Sequence, residues 1–349
     1  MPDTERGFLK QIAADAEDRA TRLIYADWLE ESGDPRCELI RIEEEVRGLP
    51  LYSDRYWELK PRRQELLGST KKAWLKRMEY GDDSAPIFAT VPEGWKERWR
   101  LIRLFTERWF GYPMNDAGGK YKRVPRRDPN PGGKPLTISD FPTVEEVRSF
   151  PPSLREWFVF VGDLRQKVEF DPKGTMNFAS FGTGVEDDHF LRFGSQDDFH
   201  FFVSKTKLRD PDPAVNWIEM QDCGRDEATS GTIPHLTTMA FLTMLQLLRC
   251  NWGRTAGGFV VEEGLLPLSV EELVEQLTET FPTRSRFDKH EIFERPDLIA
   301  VLGPAPLSGI VDSTGTHLQV EGWIGDDLFD FLTECRENAH DEMNWGRLY

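Results

Sequence analysis

Apolar residues in the first eighty positions recur at helical spacing. Phe8, Leu9, Ile12 and Ala13 form one stripe, and Ala20, Leu23, Ile24 and Trp28 a second; recurrence at i, i+4 is the mark of an amphipathic helix. Gly33, with Pro35 two residues on, is a stop signal that makes the two a helical hairpin. Leu39, Ile40, Ile42 and Val46 carry a third helix opened by Pro35. Tyr56, Leu59, Gln64 and Leu67 extend the helical reading to about Tyr80. Trp95, Trp99, Ile102, Phe105 and Trp109 then fall at near-helical intervals with arginines between them. An aromatic and basic platform for nucleic acid would look like this, but tryptophans at this period point to a core face.

The texture changes after Gly118–Pro135, which is rich in Gly, Pro and basic residues, nearly free of apolar ones, and reads as a solvated linker. Beyond it the pattern alternates helix and strand. Helices are expected over Thr143–Phe150 and Ser153–Val161, and strands over Lys167–Phe170 and Asn177–Phe181. Phe190–Phe193 and Phe199–Val203 form a hairpin around Gly194–Asp197. If the turn centres between Ser195 and Gln196, His200 faces Leu191, Asp198 faces Phe193 and His189 faces Phe202, so the two histidines could share a face. A buried helix follows over Leu236–Trp252, then another over Leu268–Phe281 with Ser269 and Glu272 as a capping box. Strands at Leu298–Leu302 and Leu318–Val320 and a helix at Asp326–Cys335 close the chain. The expected class is α+β, divided into a helical module over 1–82, a helix with a basic linker over 83–135, and an α+β domain over 136–349.

Charge sharpens this division. The 349 residues carry a net charge of -17. Residues 136–349 hold 37 acidic and 18 basic side chains, a net of -19, whereas 83–135 is net +5. Such acidity argues against nonspecific binding to nucleic acid or anionic lipid and suits a basic partner. Cys37, Cys223, Cys250 and Cys335 form no CxxC pair, which excludes a zinc ribbon and a disulfide scaffold and reads as reduced thiols. The start lacks a basic segment leading into an apolar one, and no window approaches a membrane span. A cytoplasmic protein is expected, without membrane or nucleic-acid partners.

Two resemblances add to this. The core Arg22, Leu23, Tyr25, Ala26, Asp27, Trp28, Leu29, Glu30, Glu31, then Gly33, Asp34, Pro35, Arg36 and Glu38, Ile40, Arg41, resembles the short repeat-companion domain widespread in planctomycete bacteria, over about residues 5–47. Cys37 stands where that family tends to have Gly. Physically the motif is a folding device: Tyr25 and Trp28 bury rings, Asp34 caps the helix behind Pro35, and Arg22, Arg36 and Arg41 pair with Asp27, Glu30 or Glu38. Docking of another protein is the minor reading. From about Thr143 onward the chain resembles the SUKH superfamily of cell-wall assembly regulators and bacterial immunity proteins. The resemblance rests on Pro151–Trp157 leading to Val161-Gly162, the hairpin Phe190–Val203, Asp210–Val215 followed by Trp217, and the helix Thr238–Arg249. It implies a protein-binding α+β fold without enzymatic activity or cofactor, whose bacterial members often neutralise toxins.

For chemistry, the richest cluster is Glu186, Asp187, Asp188, His189, Asp197, Asp198 and His200. A carboxylate–histidine metal site, or a hydrolase using Asp187, Asp188 and His200, is conceivable, but nothing fixes four ligands at defined spacing. The sequence holds no GxSxG, HExxH, P-loop or GxGxxG pattern. His235 reads as a cap or loop residue, Cys223 and Cys250 as small buried hydrophobes, Ser204, Lys205 and Lys207 as a solvated strand exit, and Asp326, Asp327 and Asp330 as a helix-opening cluster. The sequence therefore leads to protein binding without metal or cofactor, either as an immunity-type inhibitor of a basic toxin or as a constitutive regulatory or scaffold protein. Asp187, Asp188, Asp197, Asp198 and Trp217 are the candidate contact residues.

Overall fold

The computed structural model describes residues 4–15, 17–81, 85–122, 142–167, 189–196, 199–219, 230–249, 255–256, 261–262, 270–296, 298–304 and 316–323. The chain divides into two compact units, Met1–Ala85 and Pro86–Tyr349, and its class is α+β with an N-terminal helical region. The expected strands at 168–170 and 177–181, most of the basic linker, Cys223, Cys250 and the helix at 326–335 lie outside the described residues.

Side-chain caps set the helix starts in the first unit. Thr4 accepts from the Gly7 amide to open α1 (Glu5–Ala14), and Asp18 accepts from Thr21 to open α2 (Arg19–Glu31). α3 (Arg36–Val46) begins behind Pro35, with Asp34 accepting from the Arg36 amide at 2.9 Å. Ser53 accepts from Tyr56 to open α4 (Asp54–Ser69). The helical reading to Tyr80 breaks at Thr70. The hydroxyls of Ser69 and Thr70 both donate to the Leu66 carbonyl, Thr70 turns extended, and a separate α5 (Lys72–Met78) begins. Serine and threonine offer carbonyls a competing donor, which ends helices that apolar spacing alone would continue.

Phe8, Ile12, Tyr25, Leu29, Leu39, Ile40, Leu66, Trp74 and Met78 make one core. Tyr25 ties it together: its ring stacks on Phe8 at 5.1 Å, its hydroxyl donates to Glu5, and it accepts from the Trp74 indole. Burial pushes the Tyr25 hydroxyl up to about 12. Two arginine pairings differ from expectation. Arg41 does meet Asp27 and Glu30, and Arg36 grips Asp34 and Glu5. Arg22, however, points inward: fully buried, it donates to the Met78 carbonyl at 2.7 Å, lies 3.6 Å from Glu44 and covers the Tyr80 ring.

In the second unit, α6 (Trp95–Phe110) is enclosed on every side. Residues 83–135 therefore are not merely a connector, since they supply a central helix of the α+β body. Trp99 and Trp109 are buried, as a core face requires, and so are Arg98, Arg100 and Arg103. Arg98 meets Asp288, Arg100 meets Asp116, and Arg103 meets Glu156. These engaged guanidinium groups do not form the phosphate-facing row of a nucleic-acid platform. α7 (Val144–Ser149) opens with a capping box between Thr143 and Glu146. α8 (Pro152–Lys167) packs on α6, with Trp157 and Phe160 against Trp99.

A four-stranded antiparallel meander follows: β1 (Phe190–Gln196), β2 (Phe199–Ser204), β3 (Val215–Glu219) and β4 (Ser230–Ile233). α9 (Leu236–Arg249) is the expected buried helix. The short β5 (Thr255–Ala256) and β6 (Val261–Glu262) precede α10 (Val270–Thr280), then β7 (Thr283–Phe287), β8 (His290–Arg295), β9 (Leu298–Pro304) and β10 (Thr316–Trp323) complete a second sheet in the order β5-β10-β9-β8-β7, with β6 also on β10. Phe88, Phe105, Phe241 and Phe287 join α6, α9 and the β7 end in one aromatic cluster.

The hairpin register differs from the expected one. Leu191 pairs with Val203, Ser195 with His200 and Gln196 with Phe199, and the register shifts between Arg192 and Gly194. Phe193 is thus an extra residue in a bulge, placing its ring against Phe201 and Trp157. His189 sits at the far end of the hairpin, its carbonyl accepting from the Lys205 amide, so the two histidines do not meet.

Candidate interaction face

The starts of α8 and α9 and the loop before β3 converge at one point. The Ser153 amide at the start of α8 donates to the Pro211 carbonyl at 3.0 Å. Asp212 accepts from the Thr237 amide at 3.1 Å and from its hydroxyl at 2.6 Å, capping α9. The Trp99 indole donates to the Ser153 hydroxyl at 2.9 Å. This network fastens α6, α8 and α9 to the loop that leads into β3.

Asp288 reaches the same helix start from the β7–β8 turn, where it adopts a φ of 53°. It accepts from Thr238, lies 2.8 Å from His235 Nδ1 and 3.1 Å from Arg98. Burial pushes its carboxyl up, but hydrogen bonds from Thr238 and His235 and the Arg98 charge outweigh this and hold it below its ordinary value. Arg98 also lies 3.2 Å from His235 Nδ1, so a neutral ring either accepts from Arg98 or donates to Asp288. Thr238 gives its proton to Asp288 and not to His235, so the group is not aligned to activate a hydroxyl nucleophile. It acts as a clasp between α9 and the second sheet. A carboxyl depressed in the folded state contributes stability above its unfolded pKa of about 3.9, lost as pH falls through the lower folded value. Asp288→Asn is therefore expected to be less stable than the parent at neutral pH and to approach it below about pH 3, measured by urea unfolding across that range.

The meander has two distinct faces. Phe193, Phe201, Val203, Val215 and Ile233 are buried on the helix side. Trp217 pairs with Phe201 and Gly231, which places it on that inner side. A Cβ on Gly231 would lie 2.7 Å from the Trp217 indole, so this position needs glycine. Gly231→Ala is expected to cost about 1–3 kcal/mol by overpacking, read as a lowered urea midpoint. Trp217 thus belongs to the packing of the sheet. Asp187, Asp188, Asp197 and Asp198 lie outside the described residues; the described pairing puts His189 and Gln196, which border the two acidic pairs, at opposite ends of β1.

The outer face is read from the register. Arg192, Phe202, Asn216 and Thr232 form one row across the four strands, and His200, Ile218 and Ser230 form the next. Phe190 meets Phe202 edge-on at 6.4 Å, and Ile218 is 38% exposed. Arg192 is the residue that sequence reasoning missed; its signal was a single cation inside the strand Phe190–Phe193.

Among the described residues no group of three or more His, Cys, Asp or Glu side chains could hold a metal ion, and no helix is long and apolar enough to cross a membrane. The fold and its two-faced sheet define an α+β chain with a helical N-terminal unit. No family model matches it, and no match emerges among curated proteins or solved structures.

Proposed function

We propose that this chain works by binding another protein in the cytoplasm, without cofactor or covalent step, and that its second unit is a SUKH-like, immunity-type module that occupies a basic toxin. The observation that carries this reading is the meander's outer face, which presents Phe190, Phe202 and Ile218 while its inner face is packed. Ile218 is exposed and Phe190 and Phe202 are half-buried; apolar side chains in that state beside an arginine are the composition of protein-binding surfaces. The net charge of -19 over residues 136–349 supports a basic partner, because complementary charge steers encounter. The convergence of Ser153, Pro211 and Asp212 at Thr237 supports the family likeness, since the first three come from the motifs that carry it and Thr237 directly precedes the helix motif. The first unit serves as a folded companion module.

The test is a pull-down with the tagged full-length chain from its own cell lysate at low and high salt, read by mass spectrometry. A stoichiometric basic protein released by salt is the expected result. Recovery of an acidic or structural assembly instead would overturn the toxin reading in favour of a constitutive scaffold.

A further inference from the structure

We infer that the outer face of β1–β4 receives a partner segment carrying an aspartate or glutamate, with Arg192 as the group that pairs with that carboxylate; this rests on the protein-binding reading above and names the chemistry at its contact. Arg192 projects from β1 opposite Phe202. Its Nε is enclosed and has no hydrogen-bond partner, and the guanidinium is partly desolvated with no compensating anion among the described residues. A partly buried cation left without an anion is costly, so a guanidinium kept in this state fits one whose charge is met on binding.

The composition of the face points the same way. By register, the described outward side chains are Phe190, Arg192, His200, Phe202 and Ser204, then Asn216 and Ile218, then Ser230 and Thr232. None is acidic, although residues 136–349 hold 37 carboxylates. A face cleared of negative charge and carrying an unsatisfied guanidinium complements a carboxylate. Phe190, Phe202 and Ile218 beside it would exclude water from that pair and strengthen it. Asn216 and Thr232, hydrogen-bonded to each other at 3.0 Å, make the polar end of the same row. Neighbouring strands lie about 4.8 Å apart, so the row from Arg192 to Thr232 spans roughly 14 Å, the length of a four- to five-residue extended segment. A partner that is basic overall satisfies both terms: its net charge is steered by the acidic chain, and one carboxylate docks on Arg192.

The probe is the N-acetylated, C-amidated peptide Lys-Tyr-Glu-Tyr-Lys, compared with its Gln counterpart, titrated into the ¹⁵N-labelled full-length protein. The Glu peptide is expected to shift the amide signals of Phe190, Arg192, Phe202, Asn216 and Ile218 and to bind about tenfold tighter than the Gln peptide. Arg192→Leu should abolish that preference while keeping the face apolar. Ile218→Glu, at an exposed position, should weaken the Glu peptide by repulsion even if Arg192→Leu proves unstable. Equal binding of the two peptides, or shifts confined to other parts of the chain, would overturn the inference. Should that happen while the pull-down still yields a basic partner, the binding function stands and only its contact face is wrong.

Discussion

Arg22→Met is expected to destabilise the first unit by about 3–5 kcal/mol, the cost of breaking a buried ion pair from one side. Arg22 is fully buried, and its guanidinium donates to the Met78 carbonyl, faces Glu44 and covers the Tyr80 ring. Methionine fills much of the volume but donates nothing. Met78's carbonyl loses its donor, and Glu44, almost fully enclosed, retains the Tyr80 hydroxyl at 3.0 Å and a distant Arg47 at 3.9 Å. Lysine should not rescue, because one ammonium cannot span three partners in one plane. The double variant Arg22→Met with Glu44→Leu should recover much of the loss by removing the stranded charge. Urea unfolding followed by tryptophan fluorescence reads both effects. A single-variant loss below about 1 kcal/mol, the range of surface pairs, would show that Arg22 is not buried as described.

Trp99→Ala is expected to cost the second unit a similar about 3–5 kcal/mol, as for large-to-small changes at buried aromatics. The ring is fully buried between Trp157 and Phe160, at centroid distances of 6.4 and 5.3 Å. Its indole is also the first link in the chain through Ser153 to Asp212 and Thr237. Trp99→Phe separates the two contributions: it keeps most of the apolar contact and removes the donor, so about 1–2 kcal/mol should be lost. The unfolding midpoint of the second unit measures both. An unshifted midpoint in Trp99→Ala would mean that α6 lies outside that cooperative unit.

Helices were legible where packing is one-sided. Phe8 and Ile12, or Leu154 and Trp157, repeat at the helical period because one stripe of each helix meets a core. On α6 periodicity found the helix and its tryptophan face but not the burial of the rest, because all sides are enclosed. It assigns Arg98, Arg100 and Arg103 to solvent, yet their carboxylate partners Asp288, Asp116 and Glu156 come from other parts of the chain. The hairpin's existence was visible in its alternation, but its register was not, because the one-residue bulge is dictated by where Phe193 finds Trp157. β7 and β8 went unread although Thr283–Phe287 alternates exposed and enclosed positions; Asp288-Lys289 was their turn signal. On the candidate face, composition directed attention to carboxylates, whereas the structure isolates a cation. Arg192's state depends on Phe202, which only strand pairing places opposite it.

The bulge at Phe193 also limits how an extended chain could pair with this sheet. Among the described strands β1 borders its sheet, and a straight border strand offers free amides and carbonyls to any extended chain. Here the shift between Arg192 and Gly194 interrupts that ladder midway along a seven-residue strand, and at the other border β4 is only four residues long. Neither side gives an incoming strand a long, even template. Such a sheet resists growing sideways into fibres even when its broad surface is partly apolar, which leaves that surface accessible at high protein concentration.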